Sequence, residues 1–170
     1  MGEDKHTIKK SDPFWSNLFR RSKSSNDVIT DLWLATSLFH NIPPRVCHQL
    51  VRRMHVRRYQ TDEVVFKSGE LGAGAVLIKS GEVTVQSSGK VLAVLQAGDF
   101  FGEVALVNED PRTADAIAKN DCELVFLVRQ EIEEWVRSSP RHGVTFMSNV
   151  AHVLASRLSN ANHLLAKINE

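Results

Sequence analysis

Residues 75–95 decide how this chain folds: Ala75 to Lys79 (AVLIK), the turn Ser80-Gly81, Glu82 to Gln86 (EVTVQ), the turn Ser87 to Lys90 (SSGK) and Val91 to Leu95 (VLAVL). Each run is too short for a helix. All are rich in the β-branched residues that fit a pleated surface, and only small turn-forming residues separate them. Glu63 to Lys67 upstream and Cys122 to Val128 downstream repeat the pattern. Many short strands with glycine turns, and no helical run between them, predict an antiparallel β jelly-roll barrel. The fold class expected is mainly β with flanking α-helices, N-terminal ones before the barrel and a long C-terminal one after it.

Upstream of Val56 the period is helical. Asp27 can cap a helix carrying Val28, Ile29, Leu32, Trp33 and Leu34, which has to end before Pro43 and Pro44. A second helix starts near Pro44 and carries Val46, Leu50, Val51 and Met54. Further back, Phe14, Trp15, Leu18 and Phe19 share one helical face among basic residues. The spacing predicts a short amphipathic helix over about Asp12 to Arg21, followed by a Ser22-Lys23-Ser24-Ser25 linker.

Downstream of Val128, Ile132, Trp135 and Val136 mark a short helix stopped by Pro140. Then Val144, Met147, Ala151, Leu154, Leu158, Ala161, Leu165 and Ile168 alternate three- and four-residue steps. Two readings fit this seam: a coiled coil that makes a homodimer, or the apolar stripe of a helix lying on its own barrel. The expected organisation is a basic amphipathic segment and linker over 1–26, a barrel domain with flanking helices over 27–140, and a C-terminal helix over 141–170.

With 170 residues there is room for one domain and some extra helix. The 21 Lys and Arg balance 20 Asp and Glu, so no global field draws nucleic acid or an anionic membrane. Cys47 and Cys122 lie far apart in a chain with no apolar signal segment or membrane-spanning run, and a cytoplasmic setting is the default expectation.

Chemistry concentrates in Gly98-Asp99-Phe100-Phe101-Gly102-Glu103-Val104-Ala105-Leu106-Val107-Asn108-Glu109-Asp110-Pro111-Arg112-Thr113-Ala114. A glycine turn ends a strand, a short apolar helix follows, and the chain returns through Pro111 to an arginine at the head of another strand. Such a segment can bind an anion. Gly102 admits close approach, first-turn N–H groups point outward, and Arg112 offers a planar donor fork. Glu103 cannot favour the anion and makes sense only for a ligand that also carries hydroxyl donors. Taken alone, these residues fit a glycine turn with a surface salt bridge better than a binding site.

The ordered pattern resembles the phosphate-binding cassette of the cyclic-nucleotide-binding domain family. That family includes the catabolite activator protein, kinase A regulatory subunits and cyclic-nucleotide-gated channels. Its Phe-Gly-Glu-x-Ala-Leu stands here as Phe101 to Leu106, and its Pro-Arg-Ser/Thr/Ala-Ala as Pro111 to Ala114. Ser80-Gly81-Glu82-Val83 and Leu95 to Asp99 resemble the family's flanking turns. Glu109 and Asp110 depart from comfort, because they stand where they can compete with phosphate for Arg112.

The resemblance implies a regulatory domain, not an enzyme, that binds cyclic AMP or cyclic GMP and transmits occupancy through its C-terminal helix. Gly102, Glu103, Val104, Ala105, Arg112, Thr113 and Ala114 would form the site. Glu103 would accept from the ribose 2′-hydroxyl and Arg112 would pair with the exocyclic phosphate oxygens. Backbone N–H groups of Gly102, Ala105 and Ala114 would complete the phosphate shell. A hydroxyl at Thr113 suits a guanine amino group but also occurs in cyclic-AMP binders. A degenerate domain of the same fold, acting as an interaction or dimerisation module, is the alternative. No metal is expected: His6, His40, His48, His55, His142, His152 and His163 all fall outside Val56 to Val128, unlike the strand histidines of a metal-dependent jelly roll. Nor does the chain leave room after the seam for a helix-turn-helix, so no direct DNA binding is expected of these residues. Partners would be the cyclic nucleotide, a second copy and an effector protein or domain whose identity is unknown.

Overall fold

The computed structural model describes residues 23–168; the amphipathic segment expected over 12–21 lies outside them. Eight strands form: β1 (His55–Tyr59), β2 (Val64–Phe66), β3 (Gly74–Ser80), β4 (Glu82–Ser87), β5 (Lys90–Gln96), β6 (Phe100–Phe101), β7 (Asp115–Ala118) and β8 (Cys122–Val128). They make two four-stranded antiparallel sheets, ordered β1-β8-β3-β6 and β2-β7-β4-β5. The jelly-roll expectation is met as two facing sheets rather than a closed ring. The first sheet ends at the two-residue β6 because Gly102 turns the backbone to φ 73, a left-handed conformation that breaks the strand.

The two-residue period of β3 and β8 sorts the interior. Val76 and Ile78 of β3 join Leu124 and Cys122 of β8 in the core between the sheets. Ala75 and Leu77 of β3, with Val125 and Leu127 of β8, point the other way into a core shared with the helices. The central sheet is thus buried on both faces, which is why these strands read as nearly continuous apolar runs. The sheet containing β4 and β5 covers one face only, and Val91, Leu92 and Val94 of its edge strand are exposed.

Four helices close the second core. Helix α1 (Ser25–Leu34) starts three residues earlier than an Asp27 cap requires. Ser24 is its N-cap, and the Ser24 side chain and Asp27 carboxylate bond each other's backbone N–H as a capping box. The serine run expected to be a linker is therefore partly helix start. Helix α2 (Pro44–Val51) has Pro44 at its first turn and buries Val46, Cys47, Leu50 and Val51. Burial pushes the Cys47 thiol up to about 12, so it is inert packing.

Helix α3 (Arg129–Ser138) follows β8 directly, and α4 (Pro140–Ile168) begins after a single residue. At its base α4 buries Phe146, Val150 and Val153. The predicted seam lies on another face: Val144, Met147, Ala151, Leu158, Ala161 and Leu165 are exposed and Leu154 is half-buried. The reading in which that stripe lies on its own barrel is thereby corrected. The helix carries apolar residues on two faces, and the domain takes the other one. No described helix is long and apolar enough to cross a membrane.

Phe146 is fully buried and meets Phe39 with ring centroids 5.3 Å apart and Trp135 at 5.8 Å, so it joins α4 to both α3 and the N-terminal helices. Removing it leaves a cavity where three elements meet. Phe146→Ala is expected to lower unfolding free energy by about 3–5 kcal/mol, read as an earlier urea midpoint; a change below about 1 kcal/mol would show that α4 is not anchored there.

Candidate functional site

Arg112 reaches its place by local backbone pairing. Its N–H donates to Glu70 O at 2.7 Å and its carbonyl accepts from Gly69 N–H at 2.8 Å, which fixes the chain just ahead of β7. The guanidinium then lies over the Phe66 ring, 4.2 Å from its centroid. Nη1 donates to Gly102 O at 3.0 Å and Nη2 to Gly74 O at 2.8 Å. Glycine is needed around it: a Cβ on Gly102 would lie 2.5 Å from Nη1, and one on Gly72 would lie 3.2 Å from Cζ and 2.6 Å from the Ala105 Cβ. Burial pulls the guanidinium below the usual arginine range, while Glu103 and Glu70 pull it back up.

Glu103 opens the 3-10 turn Glu103–Leu106, only 2% exposed. Its Oε2 accepts from Arg157 Nη1 of α4 at 2.6 Å, and Arg157 Nη2 donates to Phe100 O at 3.1 Å. The Arg157 guanidinium also lies 5.2 Å from the centroid of the Phe100 ring. The first-turn N–H groups are only partly free, since Ala105 N–H donates to Gly102 O at 3.2 Å.

All seven expected residues, Gly102, Glu103, Val104, Ala105, Arg112, Thr113 and Ala114, line one cavity of about 330 Å³. Its apolar lining comes from Phe66 of β2, on which Arg112 lies, and from Val85 of β4 and Ala93 and Leu95 of β5. A charged end with Arg112 and Glu103 and an apolar wall suit a ligand with an anionic group, hydroxyls and a flat hydrophobic part.

Glu109 and Asp110, expected to be awkward for Arg112, are engaged elsewhere. Glu109 Oε1 accepts from Arg129 Nη2 at 3.0 Å, and Asn108 pairs with both the backbone N–H and the carboxylate of Asp110. Among the described residues no cluster of His, Cys, Asp and Glu that could hold a metal is found, although His55 does open β1. Sequence reasoning missed Arg157, Arg129 and Phe66. Arg157 had a signal: it continues the buried series Phe146, Val150, Val153 at helical spacing, which a search for the face of α4 opposite the seam would have met.

Residues 56–139 match the family model described as cyclic nucleotide-binding domain. The cyclic AMP receptor protein of Thermus thermophilus is 32% identical over 130 residues, covering 74% of this chain and 58% of its own length. A cGMP-dependent protein kinase of Plasmodium berghei is 33% identical over 81 residues, 48% of this chain and 10% of the kinase. The chain therefore spans little more than half of the first relative and a tenth of the second. The crystal structure of the Thermus thermophilus catabolite activator protein superposes with a TM-score of 0.70 at 31% identity, over 79% of this chain and 63% of that one. A cyclic nucleotide-binding domain from Methylobacillus flagellatus shares the fold, with a TM-score of 0.71 at 21% identity over 84% of this chain and 83% of that one. With the cassette order, the two-sheet fold and these likenesses in agreement, the chain belongs, through residues 56–139, to the cyclic nucleotide-binding domain family.

Proposed function

We propose that this chain is a non-catalytic sensor that binds cyclic AMP or cyclic GMP in the cavity lined by Arg112, Glu103 and the apolar residues of β2, β4 and β5. The observation that carries this is the convergence of a half-buried arginine fork and a buried carboxylate at one end of that cavity. Arg112 would meet the phosphate oxygens already oriented by Phe66, Gly74 and Gly102, so little order has to be imposed on binding. Glu103 would accept from the ribose hydroxyl, N–H groups of Gly102, Ala105 and Ala114 would complete the phosphate contacts, and the base would lie against Phe66, Val85, Ala93 and Leu95. Thr113 is exposed on the cavity and free to meet an exocyclic group.

The same geometry supports transmission through α4. A 2′-hydroxyl that donates to Glu103 competes with Arg157 for the carboxylate, so occupancy changes what holds α4 to the cassette. On the other side of the turn, Leu106 packs in one core with Ile132 and Trp135 of α3, and Phe100 packs against that core. Movement of the cassette would reach α3 through these contacts. A ligand shifts such an equilibrium only by its difference in affinity for the two arrangements.

The unspent seam of α4, with Leu158 and Leu165 exposed, fits pairing with a second copy of this chain. The setting proposed is cytoplasmic, and the domain limits proposed are 27–140 for the sensor and 141–170 for the reporting helix.

Isothermal titration of nucleotide-free protein is expected to give binding of cyclic AMP or cyclic GMP. Arg112→Ala should weaken it roughly ten- to a hundredfold, since a hydrogen bond to a charged group is worth about 1.5–3 kcal/mol; no heat with either nucleotide would overturn the reading. Arg157→Ala should abolish the nucleotide-dependent change in amide exchange over residues 150–165, and a change as large as in the parent protein would remove Arg157 from the route. Sedimentation is expected to give a dimer that Leu158→Asp converts to monomer; a monomeric parent protein would leave the seam to another partner.

A further inference from the structure

Arg129 stands at the start of α3, 17 residues beyond Arg112 in sequence, and does not itself line the cavity. Its Nη1 donates to Asn108 O at 2.6 Å and to Ala105 O at 3.2 Å, while Nη2 donates to Glu109 Oε1 at 3.0 Å. One planar fork therefore gathers the end of the 3-10 turn and the loop that runs on to Pro111-Arg112. Its backbone N–H donates to Ala73 O at 2.8 Å. The next carbonyl, that of Gly74, receives Arg112 Nη2. Two consecutive carbonyls at the start of β3 thus carry the two arginines.

We propose that Arg129 is a positioning residue of the phosphate site. It does two things at once. By holding the Ala105 and Asn108 carbonyls it fixes the loop that delivers Arg112, and because it is the first residue of α3 it makes the loop and that helix move together. By pairing with Glu109 it also keeps that carboxylate off Arg112, leaving the fork of Arg112 for the ligand. A cation on the carbonyl end of the turn balances Glu103 at the other end. Lysine cannot substitute fully, since one ammonium does not present the planar fork that reaches two carbonyls and a carboxylate.

This inference rests on the cyclic-nucleotide reading for its affinity readout but not for its structural one. Three variants of the full chain test it: Arg129→Ala, Arg129→Lys, and Arg129→Ala combined with Glu109→Gln. In titrations with whichever cyclic nucleotide the parent protein binds, Arg129→Ala is expected to weaken binding about tenfold, the loss of one charge-assisted contact set. Arg129→Lys should recover part of that loss. Adding Glu109→Gln to Arg129→Ala should also recover part, a rescue that a merely structural role for Arg129 would not produce. Amide exchange without nucleotide should speed up over residues 103–112 in Arg129→Ala while β3 and β8 keep their protection. Parent-like affinity in Arg129→Ala, absence of any rescue by Glu109→Gln, or unchanged exchange over 103–112 would each overturn the proposal. If the parent protein binds neither nucleotide, the function reading falls, and exchange over 103–112 still decides the clamp.

Discussion

Everything at the site depends on how one half-buried guanidinium is held. Arg112 sits where burial disfavours its charge, and the fold compensates with two backbone carbonyls, the face of Phe66 and the field of Glu103 and Glu70. None of these contacts is local in sequence: Gly74 is 38 residues away and Gly102 ten. The arginine therefore ties β2, β3, the cassette turn and the approach to β7 together, and its position is only as good as the packing of all four. Small residues are required around it because any Cβ at Gly72 or Gly102 would occupy the space of the guanidinium or its neighbours.

That packing is supplied by a sheet buried on both faces. Because side chains alternate, β3 and β8 feed one core between the sheets and another beneath the helices. A displacement of β3 would disturb the cavity through Gly74 and the helical core through Ala75 and Leu77 together. The cavity and the helices are thereby mechanically adjacent without a long chain of intermediates. Interiors packed at crystal-like density transmit such shifts instead of absorbing them.

Much of this was legible in the residues. The order Phe101-Gly102-Glu103 and Pro111-Arg112 marks the site because each residue type serves a separate physical need, and all seven expected residues do meet in one cavity. Five strands announce themselves by β-branched runs. Strand β1 does not: His55-Val56-Arg57-Arg58-Tyr59 lacks alternation, since it is an edge strand whose first four residues are exposed and whose arginines blunt the edge. The Ser24 cap hid in a serine-rich run that reads equally as linker, and only the reciprocal bond with Asp27 distinguishes the two. The partners of Arg129 and Arg157 were illegible for a different reason. Each acts on residues 20 or more positions away, and an arginine on a helix surface has no local mark that says which carbonyl or carboxylate it will meet.

Three arginines thus divide one small acidic and carbonyl-rich turn among themselves. Arg157 takes Glu103 at its start, Arg129 takes Glu109 and two carbonyls at its end, and Arg112 takes Gly102 O from the cavity side. The acids closest in sequence to Arg112 are engaged by other groups, Glu109 by Arg129 and Asp110 by Asn108. The partition has an energetic consequence. Arg157 is about half exposed, so its bond to the buried Glu103 is partly screened and cheap to exchange for a ligand hydroxyl. Arg129 is largely covered, 20% exposed, and two of its bonds are to backbone carbonyls. Under the proposed function, the contact with α4 is therefore the one suited to switch and the contact with α3 the one suited to hold, opposite mechanical roles for two helices that touch the same four-residue turn.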